Sequence, residues 1–151
     1  LVSRGRASAA LKKLVADAQA RAAQGREVFI FPEGTRRPPG AEPDYKPGYV
    51  ALYEGLGLPC YPLALNSGLY WPRRSLVRYP GTIIVEILDP IPPGLNRKDF
   101  RRELEARLEA ASDRLLHEAA SAPDAPPLPE TAVKRLAELA SGVREHNKNI
   151  S

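Results

Sequence analysis

Apolar positions recur with a helical period over residues 7–24, where Leu11, Leu14, Val15, Ala18 and Ala22 share one face and Gly25 follows as a C-cap. The pattern then changes. Val28-Phe29-Ile30-Phe31 is a continuous apolar run of the kind that forms a buried strand. Pro32 has no N–H to donate, so the ladder is expected to stop there and the chain to leave at the strand's carboxyl end. Residues 33–46 read as a loop, with Pro38-Pro39-Gly40 its clearest break. Pro47 suits the first turn of a short helix carrying Tyr49, Val50, Leu52 and Tyr53, which Gly55 and Gly57 end. Cys60 to Leu65 predicts a second strand. Thr82 to Leu88, rich in β-branched residues, predicts a third after a long loop at 66–81. Asn96 reads as an N-cap with Asp99 three residues on, and Phe100, Leu104, Leu108, Ala111 and Leu115 form the stripe of a long helix.

Strand, short helix, strand implies a right-handed parallel crossover. The predicted fold class is therefore α/β, an open, mostly parallel sheet flanked by helices. Residues 121–129 hold four prolines and little that could pack, so they read as a linker. A weaker helical pattern follows over 130–146 at Val133, Leu136, Ala140 and Val143, with Gly142 inside it at a helix cost of about 1 kcal/mol. The expected organisation is a domain over 1–120, a linker over 121–129 and a helical tail over 130–151. No internal repeat is visible.

At 151 residues, 43% hydrophobic and 26% charged, the chain has ordinary globular composition and room for a core. One cysteine cannot form an internal disulfide, so a reducing compartment suits it, and Cys60, between two prolines in an apolar strand, reads as a buried thiol. The net charge of +4 favours anionic partners without choosing among phospholipid headgroups, phosphorylated substrates and nucleic acid. Residues 55–72 form an uncharged window of 18 residues, but three prolines and three glycines argue against a spanning helix. Two distant histidines and one cysteine make no metal-ligand cluster.

The chemistry concentrates in Phe31-Pro32-Glu33-Gly34-Thr35-Arg36, at the strand edge where open α/β sheets bind ligands. Gly34 permits close approach of a ligand, and Arg36 offers a planar fork suited to phosphate. A plain strand-to-loop exit with a solvated Glu33 and Arg36 fits the same residues.

Phe31 to Arg36 resembles the signature of the glycerolipid acyltransferases, specifically the 1-acylglycerol-3-phosphate (lysophosphatidate) acyltransferases. Val2-Ser3-Arg4 before the Leu11-rich helix is similar to the family's Arg-bearing segment. Leu58-Pro59-Cys60-Tyr61-Pro62 through Asn66-Ser67-Gly68, with Trp71 behind it, resembles the strand that follows the family motif. The likeness covers about residues 1–118. The family's catalytic His, followed five positions later by Asp, is not found: Ala122 follows His117 and Ser151 follows His146 at that distance. With no Met and a start at Leu1, the chain is expected to be the C-terminal portion of an acyltransferase, an incomplete domain.

What the resemblance implies is acyl transfer from acyl-CoA or acyl carrier protein, as co-substrate and without a cofactor, to the free hydroxyl of a lysophospholipid acceptor, giving phosphatidate. A His acting as general base would stand outside this chain. Arg36 would grip the acceptor's phosphate, with Arg4 as the second phosphate-binding residue. Glu33 would bond a glycerol hydroxyl or hold Arg36, while Gly34 and Thr35 would supply N–H groups and a hydroxyl. Ser3 stands where the family often carries an acid, and Lys46 and Arg37 read as surface groups. The isolated chain is expected not to turn over.

Asn66 either contacts the ligand or closes a turn that shapes the pocket. The loop Leu69–Tyr79 carries Trp71 and Tyr70 with Arg73, Arg74 and Arg78 and no acid. Trp and Tyr favour the membrane interface and arginines attract anionic headgroups, so the loop reads either as a membrane contact or as packed and solvated surface. The expected location is the cytoplasmic face of a membrane, peripheral or anchored through a preceding segment. Two rivals stand beside the enzyme: a non-catalytic remnant with the same phosphate grip, and a basic nucleic-acid-binding module, which lacks any recognition motif.

Overall fold

The computed structural model describes residues 4–142, with residues 4–7 as backbone only. The elements run α1 (Arg4–Ala22), α2 (Gly48–Leu56), β1 (Leu63–Leu65), α3 (Ser67–Tyr70), β2 (Val85–Ile87), α4 (Arg97–Ala120) and α5 (Glu130–Ser141). They fall into two compact units. The first holds residues up to Thr35 with Pro43–Leu63 and Ile87–Leu108; the second holds Arg36–Glu42, Ala64–Glu86 and the residues from Glu109 onward.

In the first unit α1 and α2 pack together. A Cβ on Gly55 would collide with the Val15 side chain, so this glycine is what allows the two helices their close approach. Gln19 Nε2 also donates to the Gly55 carbonyl at 2.7 Å. Gly57 ends α2 in the left-handed conformation, φ 60°, and donates to the Tyr53 carbonyl. The core joins Tyr49, Tyr53, Ile91, Phe100 and Leu104. Asn96 starts α4 as expected: its Oδ1 accepts from the Asp99 amide at 3.0 Å while its Nδ2 donates to the Asp99 carboxylate.

The second unit has its own core of Leu69, Tyr70, Leu116, Ala119 and Ala132, with Tyr79, Leu128 and Leu136 against it. Within the span read as a linker, Pro126 is buried and Leu128 packs on this core. Gly142 caps α5 at φ 68° rather than interrupting it; Val143, the last residue of the expected stripe, lies outside the described residues.

The sheet corrects the sequence reading. Among the described residues it has two strands, β1 and β2, and they are antiparallel, where an open, mostly parallel sheet was expected. Cys60 and Ile91 extend the pairing as an antiparallel bridge, exchanging bonds of 2.9 and 2.8 Å. One more residue separates Leu88 from Ile91 than separates Cys60 from Pro62, where Leu88 N donates to the Pro62 carbonyl. That bulge contains Pro90, which has no N–H, and Arg107 Nη1 takes up the Asp89 carbonyl at 2.9 Å. Val28–Phe31 is not a strand. It has no neighbouring strand among the described residues, and Phe29 and Phe31 are 76% and 73% exposed. A ladder needs a partner, and without one this apolar run stays open to solvent. The parallel crossover expected between this run and Cys60–Leu65 therefore does not form.

Candidate functional site

The motif turn is built from both ends. Gly34 N donates to the Phe31 carbonyl at 2.9 Å, with Gly34 at φ 68°, a conformation glycine adopts freely. The returning segment holds the turn. Asp44 N donates to Glu33 Oε1 at 3.0 Å and Lys46 N to the Pro32 carbonyl at 2.8 Å. Lys46 Nζ then pairs with Asp44 at 2.6 Å in an exposed contact that adds little stability. Glu33 is thus engaged by the backbone that returns past it, and the Gly34 amide is spent inside the turn. Thr35 is exposed.

In the second unit Arg36 is exposed, and its carbonyl accepts from Arg73 Nη1 at 3.4 Å. The sequence left Arg73 in a loop that reads either as a membrane contact or as packed and solvated surface; the structure brings its guanidinium to the Arg36 carbonyl. Among the described residues no carboxylate pairs with either guanidinium. Two cationic side chains on loops joined by this bond raise the local positive potential and favour anions. Arg4 opens α1, and its side chain lies outside the described residues, as does Ser3 altogether.

Tyr79 N donates to the Tyr70 carbonyl at 3.0 Å and closes the base of the Trp71–Arg78 loop. Trp71 is half exposed and the Arg78 guanidinium sits 4.1 Å from its ring centroid, a cation–π contact. Arg78 Nη1 also donates to the Ser75 carbonyl at 2.8 Å. Arg74 is exposed and takes a left-handed backbone, φ 59°. Leu76, 98% exposed, stands at the tip beside Val77. The sequence reading did not single out Leu76; its signal was an aliphatic pair set between arginines. Asn66 is buried, and both ends of its amide are in use: Oδ1 accepts from Ile84 N at 2.8 Å and Nδ2 donates to the Thr82 carbonyl at 3.4 Å.

Two clefts are open. One of about 250 Å³ in the second unit includes Lys134 and Arg135, which pair with Glu138 and Asp113. The other, of about 360 Å³ in the first unit, includes Arg102 and Arg107, which pair with Asp99 and Glu103. Their cations are compensated, unlike Arg36 and Arg73. Burial pushes the Cys60 thiol above its usual pKa, away from nucleophile character. His117 is exposed on α4, and no group of His, Cys, Asp and Glu among the described residues could hold a metal ion.

Over 86 residues, 57% of the chain, the sequence is 42% identical to a 1-acyl-sn-glycerol-3-phosphate acyltransferase of Pseudomonas aeruginosa. Over 91 residues it is 32% identical to the enzyme of that name from Cocos nucifera. The chain is homologous in part to the 1-acyl-sn-glycerol-3-phosphate acyltransferases. The matches span only 34% and 30% of the length of these curated relatives. No family model and no solved structure matches the chain. The acyltransferase homology agrees with the resemblance read from Phe31–Arg36, and no helix among the described residues is long and apolar enough to cross a membrane.

Proposed function

We propose that this chain is the acceptor-binding part of an acyltransferase that moves an acyl group from acyl-CoA or acyl carrier protein to 1-acylglycerol-3-phosphate. The observation that carries the proposal is the bond from Arg73 Nη1 to the Arg36 carbonyl, which joins two loops whose exposed guanidiniums have no carboxylate on them among the described residues. A phosphate monoester has the oxygens to bridge two such forks. The partial homology supports the same acceptor, since both relatives are named for it. Gripping the phosphate would orient the acceptor's hydroxyl, which is a positioning contribution.

The loop from Trp71 to Arg78 fits contact with a membrane surface, because Leu76 and Val77 are exposed between arginines and Trp71 stands half open beside them. The test is binding of 1-acylglycerol-3-phosphate presented in neutral phosphatidylcholine vesicles. Wild-type protein binds, and both Arg36→Ala and Arg73→Ala weaken binding at least tenfold, as loss of a charge-assisted bond of about 1.5–3 kcal/mol requires. Equal binding by Arg36→Ala and wild type would refute the assignment. Acyl transfer by the isolated chain would show that its chemistry does not depend on a His-x4-Asp pair. Binding without any turnover, even inside a full-length protein, would favour the non-catalytic reading.

A further inference from the structure

The loop that carries Arg36 is held at its far end by α5. Thr131 Oγ1 donates to the Pro39 carbonyl at 2.7 Å. One residue on, Gly40 sits at φ 75°, and a Cβ there would lie 2.6 Å from the Thr131 carbonyl and 2.7 Å from Ala132 Cα. Those are backbone atoms, so they could not swing aside, and only glycine lets the loop lie this close to the helix. Ala132 is fully buried at the contact. The Pro39 ring is also close to Gly68, whose Cβ would meet it at 3.2 Å. Arg135 fixes α5 in turn, with a two-pronged pair to Asp113 of α4 at 2.8 and 2.7 Å.

Pro38 and Pro39 have restricted backbones and stand between this anchor and Arg36, so little slack remains to lose it. At the near end Arg73 holds the Arg36 carbonyl. The loop from Arg36 to Glu42 is therefore tied at both ends, and one tie comes from a helix that the sequence reading set apart as a tail.

We infer that α5 is a positioning element for the phosphate grip, with Thr131 and Gly40 as positioning residues that set where Arg36 presents its guanidinium. This rests on the reading of Arg36 as a phosphate ligand. Removing the Thr131 hydroxyl frees the Pro39 carbonyl, lets the loop sample more conformations and dilutes the one that grips.

The experiment compares Thr131→Val, Thr131→Ser and Gly40→Ala with Arg36→Ala in the full 151-residue chain. The readouts are amide hydrogen exchange over residues 36–42 and affinity for 1-acylglycerol-3-phosphate in phosphatidylcholine vesicles. Thr131→Val speeds exchange at Gly40 and Ala41 and weakens binding about fivefold, the worth of one net hydrogen bond. Thr131→Ser, which keeps the donor, restores both. Gly40→Ala does at least as much as Thr131→Val. If Arg36→Ala loses binding while Thr131→Val binds as wild type, or if Val and Ser variants weaken alike, the positioning role is overturned and the Arg36 reading stands. If wild type does not bind, or Arg36→Ala binds equally, the Arg36 reading falls and the positioning role falls with it.

Discussion

Tyr53 and Phe100 lie face to face, ring centroids 3.6 Å apart and planes within 4° of parallel. The pair joins α2 to α4 at the centre of the first unit, with Phe100 1% and Tyr53 6% exposed. Tyr53 also ties down the chain entering α4. Its hydroxyl donates to the Pro92 carbonyl at 2.5 Å and accepts from Leu95 N at 2.9 Å.

These two roles separate by mutation. Tyr53→Phe keeps the stack but leaves Pro92 and Leu95 without that partner, and should cost about 1–3 kcal/mol. Phe100→Ala should cost about 3–5 kcal/mol through lost burial and a cavity. Urea unfolding distinguishes them by midpoint, with the slope m unchanged in both. A Tyr53→Phe variant as stable as wild type would mean the hydroxyl is not holding residues 92–95.

Tyr49 gives the protein an alkaline limit. Its hydroxyl donates to Glu105 Oε1 at 2.8 Å. Burial, and then the hydrogen bond and charge of Glu105, push its pKa well above the usual tyrosine value of 10.0, against a smaller opposing effect of Arg101. The folded protein therefore holds this proton more tightly than the unfolded chain. Below about pH 10 both states are protonated and the contribution is fully present; above it the unfolded chain loses its proton first and stability falls. Tyr49→Phe should flatten the decline in unfolding midpoint between pH 10 and the onset of unfolding. An identical decline in the variant would locate the effect elsewhere.

The exposed loop supplies its own reporter, because Trp71 is the one tryptophan in the sequence. Transfer to an interface should blue-shift its fluorescence when vesicles containing anionic lipid are added. Each arginine near such a surface is worth about 1 kcal/mol. Replacing Arg73, Arg74 and Arg78 together by Glu should weaken vesicle binding at least a hundredfold, and added salt should weaken the wild type. Leu76→Asp should reduce binding and the shift without touching any arginine. Unchanged binding in the triple variant would exclude this loop as the contact.

The helices were legible because their signals are local. Asn96 with Asp99, Gly57 after Leu56 and the stripe from Phe100 to Leu115 all act within a turn or two of themselves. Gly142 was misread only in sense, as an interruption where it is a cap. The sheet was not legible in the same way. Val28–Phe31 has a strand's composition, but pairing is a relation between segments and composition does not state it. The motif itself was visible. What was hidden is its surroundings: Arg73 reaches Arg36 across 37 positions and Thr131 reaches Pro39 across 92, and no periodicity connects either pair. Gly40 was read as a loop break, and its second reason, contact with a helix backbone, needed the structure.

The open run at Val28–Phe31 leads to the last prediction, since sequence and structure disagree there over energy. A buried strand would make each phenylalanine worth about 3–5 kcal/mol on truncation. With Phe29 and Phe31 about three-quarters exposed, little burial is lost, and truncation at sites free of special features usually stays within about 0.5 kcal/mol. Phe29→Ala/Phe31→Ala should therefore unfold at nearly the wild-type urea concentration. The same change should reduce self-association, because two exposed aromatic rings two positions apart favour contact with other chains. Sedimentation at several protein concentrations measures that part. A loss of more than about 2 kcal/mol in stability would mean that the run packs against something in solution, and that the strand expected from its composition is formed after all.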